Sequence, residues 1–279
     1  MLLDIHHQTV YSYDTPANYS LQTMRLWPRS DGGQRVRHWQ IDAPGRRWIQ
    51  QDAYGNTVHI TSVVEKHHNI SVIARGQVET LDERGVLIAH DSQVPPLAFA
   101  LPTLLTQADA AIEAMAQRVL GPQTNPPHIT QLELTALCEA VHASITYVQG
   151  VTDVTVTAPE ALKLGQGVCQ DMTHVFLALC RSRGVAARYV SGYLLTDSTH
   201  AASHAWAEAW IPQAHAWLGF DVTHNRLAGP ELCRLAVGRD YADASPMRGM
   251  HMGGTGETMT VKVAVQDGVQ AGLQMMMDQ

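Results

Sequence analysis

The chain of 279 residues is poor in charge and in cysteine, and it has no long apolar run. Asp, Glu, Lys and Arg make up only 16% of it, with a formal net charge of −7. Basic residues occur as scattered pairs such as Arg46–Arg47, so no basic face is available to meet a phosphate backbone and nucleic acid is not an expected partner. The longest apolar stretch, VFLALC, falls far short of the ~20 residues that a membrane-spanning helix needs. No membrane partner is expected. The opening MLLDIHHQTVYSYDTP lacks a charged segment followed by an apolar one, which predicts no signal peptide. The four cysteines, Cys138, Cys169, Cys180 and Cys233, form no C-x-x-C pair and are too few for a disulfide scaffold in a chain this long. A reducing, cytoplasmic compartment is the expectation. Histidine is plentiful at 15 residues, yet neither H-E-x-x-H nor a Cys/His zinc spacing occurs. No acidic loop has calcium-binding spacing. Neither a metal nor a cofactor is expected, and oligomeric state is not legible.

Apolar residues are 45% of the chain, enough for one large domain or two smaller ones. Residues 1–94 read as β-rich. LLDIHHQTVYSY ends at Asp14-Thr15-Pro16, RVRHWQID ends at Ala43-Pro44-Gly45, and Tyr54-Gly55-Asn56 separates two strand-like runs as a hairpin turn would. Short strands with such punctuation predict a sandwich-like β-domain. Pro95, Pro96 and Pro102 mark a connector. Beyond it the period changes. Ile112, Met115 and Val119 predict one helix, and Leu134, Leu137, Cys138 and Val141 a second. Thr157 and Pro159 open a third. The division expected is therefore an N-terminal β-domain, 1–94, and an α+β core, 95–279, with a C-terminal strand extension.

Within LGQGVCQDMTHVFLALCRSRGVAARYVSGYL, Met172, Val175, Phe176, Leu179 and Cys180 follow Cys169 at helical spacing, predicting a helix buried on one side. Gly184 supplies a stop. Cys169 falls in the first turn, and Gly165 and Gly167 ahead of it permit close backbone approach. Unpaired N–H groups and the positive end of the helix dipole favour an anion there, and a thiolate is the anion on offer. The same N–H groups can hold the oxygen of a tetrahedral intermediate. A buried, inert cysteine is the competing reading, and it weakens only because partners lie downstream.

SHAWAEAW alternates strictly. His204, Trp206, Glu208 and Trp210 share one face, and Ala205, Ala207 and Ala209 the other. In WLGFDVTHN, Trp217, Gly219 and Asp221 share a face. A turn over Ile211–Ala214 pairs Trp210 with His215 and His204 with Asp221, and a slipped register keeps the last two as diagonal neighbours. A carboxylate beside an imidazole stabilises its cation, and an imidazole beside a thiol takes its proton. Cys169, His204 and Asp221 are the candidate triad. His174, His200, His215 and His224 are rival histidines. Glu208 is a rival orienter, unless an arginine satisfies it. Trp206 is a candidate substrate-cleft residue, with plain core as its alternative.

These three blocks resemble the signature blocks of the transglutaminase-like superfamily. They are most similar to its bacterial branch of transglutaminase-like and cysteine-protease proteins, whose N-terminal β-domain suits residues 1–94. GRDYADASPMRGMHMGGTGETMTVKVAV resembles that branch's C-terminal block. The resemblance implies a papain-like α+β core with the cysteine-bearing helix packed on an antiparallel sheet. It implies Cys169 as nucleophile, His204 as base and Asp221 as orienter. It also implies a second oxyanion donor upstream of the cysteine, for which Tyr147 and Gln149 are in the right region without a motif to choose either. DVTHN departs from the family's D-P-T-N, with Val222 in place of proline and His224 inserted. The expected activity is acyl transfer from a peptide or side-chain amide through a thioester, with water as acceptor (a cysteine peptidase or amidase). Transfer to an amine, as in a transglutaminase, is an alternative. A non-catalytic peptide-binding scaffold of the same fold is another.

Overall fold

The computed structural model describes residues 1–81, 83–121, 129–196 and 203–268. Five strands come first: β1 (Leu2–Met24), β2 (Gln34–Asp42), β3 (Arg46–Gln51), β4 (Thr57–Val63) and β5 (His67–Thr80). They pair antiparallel in the order β2-β5-β1-β4-β3. β3 and β4 form the predicted hairpin, and Gly55 takes φ +78 in its turn, a conformation that glycine adopts at no steric cost. β1 does not stop at Pro16. Its register against β5 jumps between Ser12 and Ala17, and the strand continues to Met24. A bulge is where a strand tolerates a residue that cannot donate to the ladder.

The core follows. Its elements are β6 (Leu87–Ala89), α1 (Ala110–Leu120), α2 (Gln131–Ser144), β7 (Thr146–Tyr147), α3 (Ala158–Leu164), β8 (Gln166–Gly167), α4 (Cys169–Ser182), β9 (Ala187–Leu194), β10 (Ser203–Ile211), β11 (Ala216–Asp221), β12 (Arg226–Leu227), β13 (Leu232–Gly238) and α5 (Tyr241–Ala244). An antiparallel sheet runs β12-β11-β10-β9-β13, with β6 added on β11. Two last strands, β14 (Met247–Thr255) and β15 (Thr258–Asp267), both pair with β1. The chain is thus an α+β protein whose sheets do not respect a division at residue 94. β6 leaves the first region for the core sheet. The C-terminal strands return to the N-terminal sheet, because the second edge of the long β1 needs a backbone partner.

α4 is not half-exposed. Every residue from Gln170 to Arg181 is buried. The alanine face of β10 lies against it, as Ala205, Ala207 and Ala209 share a core with Val175, Phe176 and Leu179, and residues of α1, α2 and α3 join the same core. The polar side that periodicity assigns to solvent is covered as well, with His174 against Tyr189 of β9 and Tyr241 of α5 and Asp171 against the Thr152 hydroxyl. Arg181 illustrates the consequence. It donates to the carbonyls of Phe99 (3.0 Å) and Ala187 (2.8 Å) and to Thr106 Oγ1 (2.6 Å). A helix-terminal arginine thereby pins the proline-rich connector to the core.

The N-terminal region is locked to the edge strand β13 by side-chain amides that imitate a β-ladder. Gln34 Nε2 donates to the Arg234 carbonyl (2.8 Å), and Gln34 Oε1 accepts the Arg234 N–H (2.7 Å). Asn56 does the same to Val237, at 2.7 and 2.9 Å. Beneath them lies a network of three arginines and three acids, of which Asp91 is the exposed member. Glu208 meets Arg188 Nε at 2.7 Å and Arg234 Nε at 2.8 Å. Arg234 also pairs with Asp31, and Arg29 with Asp91. Glu208 is therefore an arginine-satisfied carboxylate rather than a partner of His204. Removing it leaves two buried guanidinium groups without their shared carboxylate, and breaking a buried pair from one side costs about 3–5 kcal/mol. Glu208→Ala is expected to lose stability on that scale in urea titrations; a loss under about 1 kcal/mol, the range of an exposed pair, would contradict this role.

Candidate active site

The turn that carries Cys169 is built by its neighbours. Gly165 ends α3 in the left-handed region at φ +66. β7 and β8 then pair in parallel, setting Tyr147 beside Gly167. Asp171, in the first turn of α4, turns back so that its Oδ2 accepts the Val168 N–H and the Thr152 hydroxyl, each at 2.7 Å. Gly167 makes room for this, since a Cβ there would stand 2.6 Å from Asp171 Oδ2. Burial pushes the Asp171 carboxyl up, against the hydrogen bond from Val168. Cys169 itself opens the helix half-buried, whereas Cys138, Cys180 and Cys233 are buried. Burial pushes the Cys138 thiol up to about 12 and those of Cys180 and Cys233 higher still.

His204 is the second residue of β10, and its Nε2 lies 2.9 Å from Asp221 Oδ1. β10 and β11 pair Trp210 with Trp217 and Glu208 with Gly219. The register is thus slipped relative to a turn over Ile211–Ala214, because the loop runs from Pro212 to His215. His204 and Asp221 are diagonal neighbours on one face. With Nε2 committed to Asp221, Nδ1 is the nitrogen left for the thiol. Cys169 acts on the ring both electrostatically and by hydrogen bonding. Burial disfavours the imidazolium, but Asp221 and then Cys169 outweigh it and hold His204 up to about 9.

Asp221 is fully buried and more heavily partnered than the sequence indicates. Its Oδ2 accepts from His224 Nδ1 at 2.8 Å and lies 3.3 Å from Arg226 Nε. Burial opposes ionisation, yet the bonds from His204 and His224 keep the carboxyl well below the usual carboxylate range. Ligating atoms of His204, Asp221 and His224 lie within 4.8 Å of one another, a donor set that could hold a metal ion. The Arg226 guanidinium on the same carboxylate works against a second cation there.

The other candidates separate cleanly. Trp206 is 1% exposed and packs with Val190, Leu194, Leu232 and Val237. It is a core residue on the face that carries His204, where the sequence suggested a substrate-cleft residue. Its ring stacks on His204 at 6.2 Å, and the missing side chain of Gly192 admits it, since a Cβ there would meet the indole at 2.6 Å. His174 is buried under α5, where Nε2 accepts the Tyr241 N–H at 3.2 Å, and burial lowers it to about 3. His215 occupies a left-handed turn position at φ 49. His200 lies outside the described residues. Gln149 donates to the Tyr147 hydroxyl at 3.4 Å, and neither forms a hydrogen bond to the thiol among the described residues. His224 and Arg226 as partners of Asp221, and Asp171 as the brace of the cysteine turn, had no motif to reveal them beyond their nearness in sequence.

The raised His204 value fixes a pH dependence. The fold stabilises the protonated ring, so this contribution is complete below the unfolded imidazole value of ~6.5. It is lost as pH rises through about 9. Histidine-selective NMR titration is expected to show His204 titrating near 9 and moving down in Asp221→Asn; a midpoint at or below ~6.5 in the wild-type chain would contradict the geometry.

Residues 3–79 match the bacterial transglutaminase-like N-terminal region, and residues 113–222 match the transglutaminase-like superfamily. An uncharacterized protein of Mycobacterium tuberculosis is 31% identical over 88% of this chain and 86% of its own. An uncharacterized protein of Mycobacterium leprae is 27% identical over 93% of this chain and 96% of its own. Among solved structures, a candidate cysteine protease from Cytophaga hutchinsonii superposes with a TM-score of 0.74 and 22% identity, covering 96% of this chain and 91% of that one. That likeness shows a shared fold. The sequence matches show kinship, and the chain belongs to the transglutaminase-like superfamily, with the bacterial N-terminal region of that group.

Proposed function

We propose that the protein is a thiol-dependent acyl-transfer enzyme acting on peptide or side-chain amides, with Cys169, His204 and Asp221 as its triad. One observation carries this reading. The accessible cysteine of the chain opens a helix beside a histidine whose far nitrogen is bonded to a fully buried carboxylate. The reaction follows from those groups. His204 takes the Cys169 thiol proton, Sγ attacks the amide carbon, and first-turn N–H groups of α4 stabilise the oxyanion. As the C–N bond breaks, the His204 imidazolium gives its proton to the leaving amine, leaving a thioester on Cys169 and a neutral ring. Neutral His204 then takes a proton from the incoming water, which attacks the thioester and releases a carboxylic acid and the thiol. Asp221 holds the ring in place and stabilises its cation at each protonation. His224 and Arg226 restrain the carboxylate by occupying its other oxygen. Water is the proposed acceptor; an amine attacking the same thioester would give a transglutaminase.

Iodoacetamide at pH 6 is expected to label Cys169 selectively over the three buried thiols. His204→Ala is expected to slow that labelling by about 10² or more, the low end of what a positioned acid–base group contributes. Equal, sluggish labelling of all four cysteines would overturn the proposal. A peptide-amide library supplied with and without a primary amine then separates hydrolysis from transfer by product mass.

A further inference from the structure

Asp221 sits at the inner end of a chain of ion pairs that runs out to the protein surface. It faces Arg226 across β11 and β12. The Arg226 guanidinium is shared between two carboxylates. Its Nε lies 3.3 Å from Asp221 Oδ2, and its Nη2 lies 2.9 Å from Glu231 Oε1. The same Glu231 oxygen accepts from Arg84 Nη1 at 2.6 Å. Arg84 comes from the segment between β5 and β6, so the chain Asp221–Arg226–Glu231–Arg84 joins the candidate triad to the N-terminal region. Its inner end is fully buried, and the side chain at its outer end is 46% exposed. Close packing fixes that outer end. The Gly85 N–H donates to the Ala228 carbonyl at 2.9 Å. A Cβ on Gly229 would stand 2.5 Å from Arg84 Nη1 and 2.7 Å from Glu231 Oε2, so glycine there leaves the space in which the two side chains meet.

The unequal distances around Arg226 carry the consequence. Asp221 Oδ2 already accepts from His224 Nδ1 at 2.8 Å, and Oδ1 from His204 Nε2 at 2.9 Å. From α2, the Cys138 thiol bonds the Arg226 backbone and feels the Asp221 charge. His204, His224, Arg226 and Cys138 are the titratable and charged groups that the elements around Asp221 turn towards it among the described residues, and Cys169 acts on the His204 ring. A guanidinium drawn wholly onto Asp221 would neutralise the charge that supports the His204 cation. Glu231 holds the guanidinium at the longer distance. Arg84 draws on the same Glu231 oxygen and so weakens that hold. A half-exposed pair such as Arg84–Glu231 adds little stability, so its effect falls on the distribution of charge rather than on the fold.

We infer that Glu231 and Arg84 are positioning residues that act on His204 through Arg226 and Asp221, a role that rests on the proposed acyl-transfer reading and extends it to two side chains outside the triad. Glu231 restrains Arg226 from closing on Asp221, and Arg84 limits that restraint. The N-terminal region thereby sets how much of the Asp221 charge reaches the ring that takes the thiol proton. The signs of two substitutions follow. Removing the Glu231 charge lets Arg226 close on Asp221 and makes the His204 cation less stable. Removing the Arg84 charge gives Glu231 a firmer hold on Arg226 and makes that cation more stable.

The test follows the His204 ring by histidine-selective NMR titration of the full chain, with its resonance assigned by its loss in His204→Ala. Glu231→Gln is expected to lower the His204 midpoint and Arg84→Gln to raise it, each by about 0.3 pH unit or more. A direct field from each charge would give the same signs, and the double variant separates the two. If Arg84 acts through Glu231, Arg84→Gln is silent in the Glu231→Gln background, and that is the expected result. Arg226→Gln removes the next link and gives a second background in which Arg84→Gln is silent; it decides the matter should Glu231→Gln not fold. An Arg84→Gln midpoint equal to that of the wild-type chain, or one that moves as far in these backgrounds as in the wild-type chain, overturns the inference. No turnover is read, so the two proposals fail separately. Selective alkylation of Cys169 with an unmoved Arg84→Gln midpoint defeats this inference alone. The expected midpoints with four equally sluggish thiols defeat the acyl-transfer reading alone.

Discussion

The hydrogen bond between His204 and Asp221 organises the molecule's functional half. A buried carboxylate is costly unless its charge is met, and Asp221 is met on both oxygens. The register of β10 and β11 places it diagonal to His204 on one face, and alternation along β10 puts Glu208 and Trp206 on that same face. The alanines on the opposite face then admit α4, whose first residue is the cysteine. Strand alternation, helix packing and electrostatics thus converge on one place. The place of His204 beside Asp221 is a consequence of the sheet as much as of the bond between them.

A second buried electrostatic unit explains why the N-terminal region is attached at all. Arg29 and Asp31 reach from that region to Asp91, Arg188, Glu208 and Arg234, and the amides of Gln34 and Asn56 cap the free edge of β13. An uncapped edge strand invites pairing with another chain. Here the cap is made of side chains, which satisfy the edge without adding a strand. β14 and β15 close the loop by returning to β1. The two regions therefore share strands and charges.

Much of this was legible in the sequence, for reasons that differ by element. The helices α1, α2 and α4 announce themselves by period, α3 by Thr157 and Pro159 at its start, and the end of α4 by Gly184. The face shared by His204, Trp206 and Glu208 follows from strict alternation. What periodicity could not carry was long-range. It could not say that Pro16 sits in a bulge rather than ends a strand, because a bulge depends on the partner strand. It could not say that β14 and β15 pair with a strand more than 200 residues away, nor that the polar side of α4 is buried as well. Glu208 and Trp206 share a face with His204, but only tertiary neighbours reveal one as an ion-pair member and the other as core. His224 and Arg226 were visible as residues and invisible as partners, since their role depends on a short helical turn after Asp221.

The most direct test of the central claim is whether Cys169 carries an acyl group in a reaction that needs His204. The chain is mixed with p-nitrophenyl acetate, quenched in acid within seconds and analysed by intact and peptide mass spectrometry. One acetyl group on the Cys169 peptide, strongly reduced in His204→Ala, is the predicted result. Acetylation spread over several residues, or absent from Cys169, or indifferent to the histidine, would contradict the account.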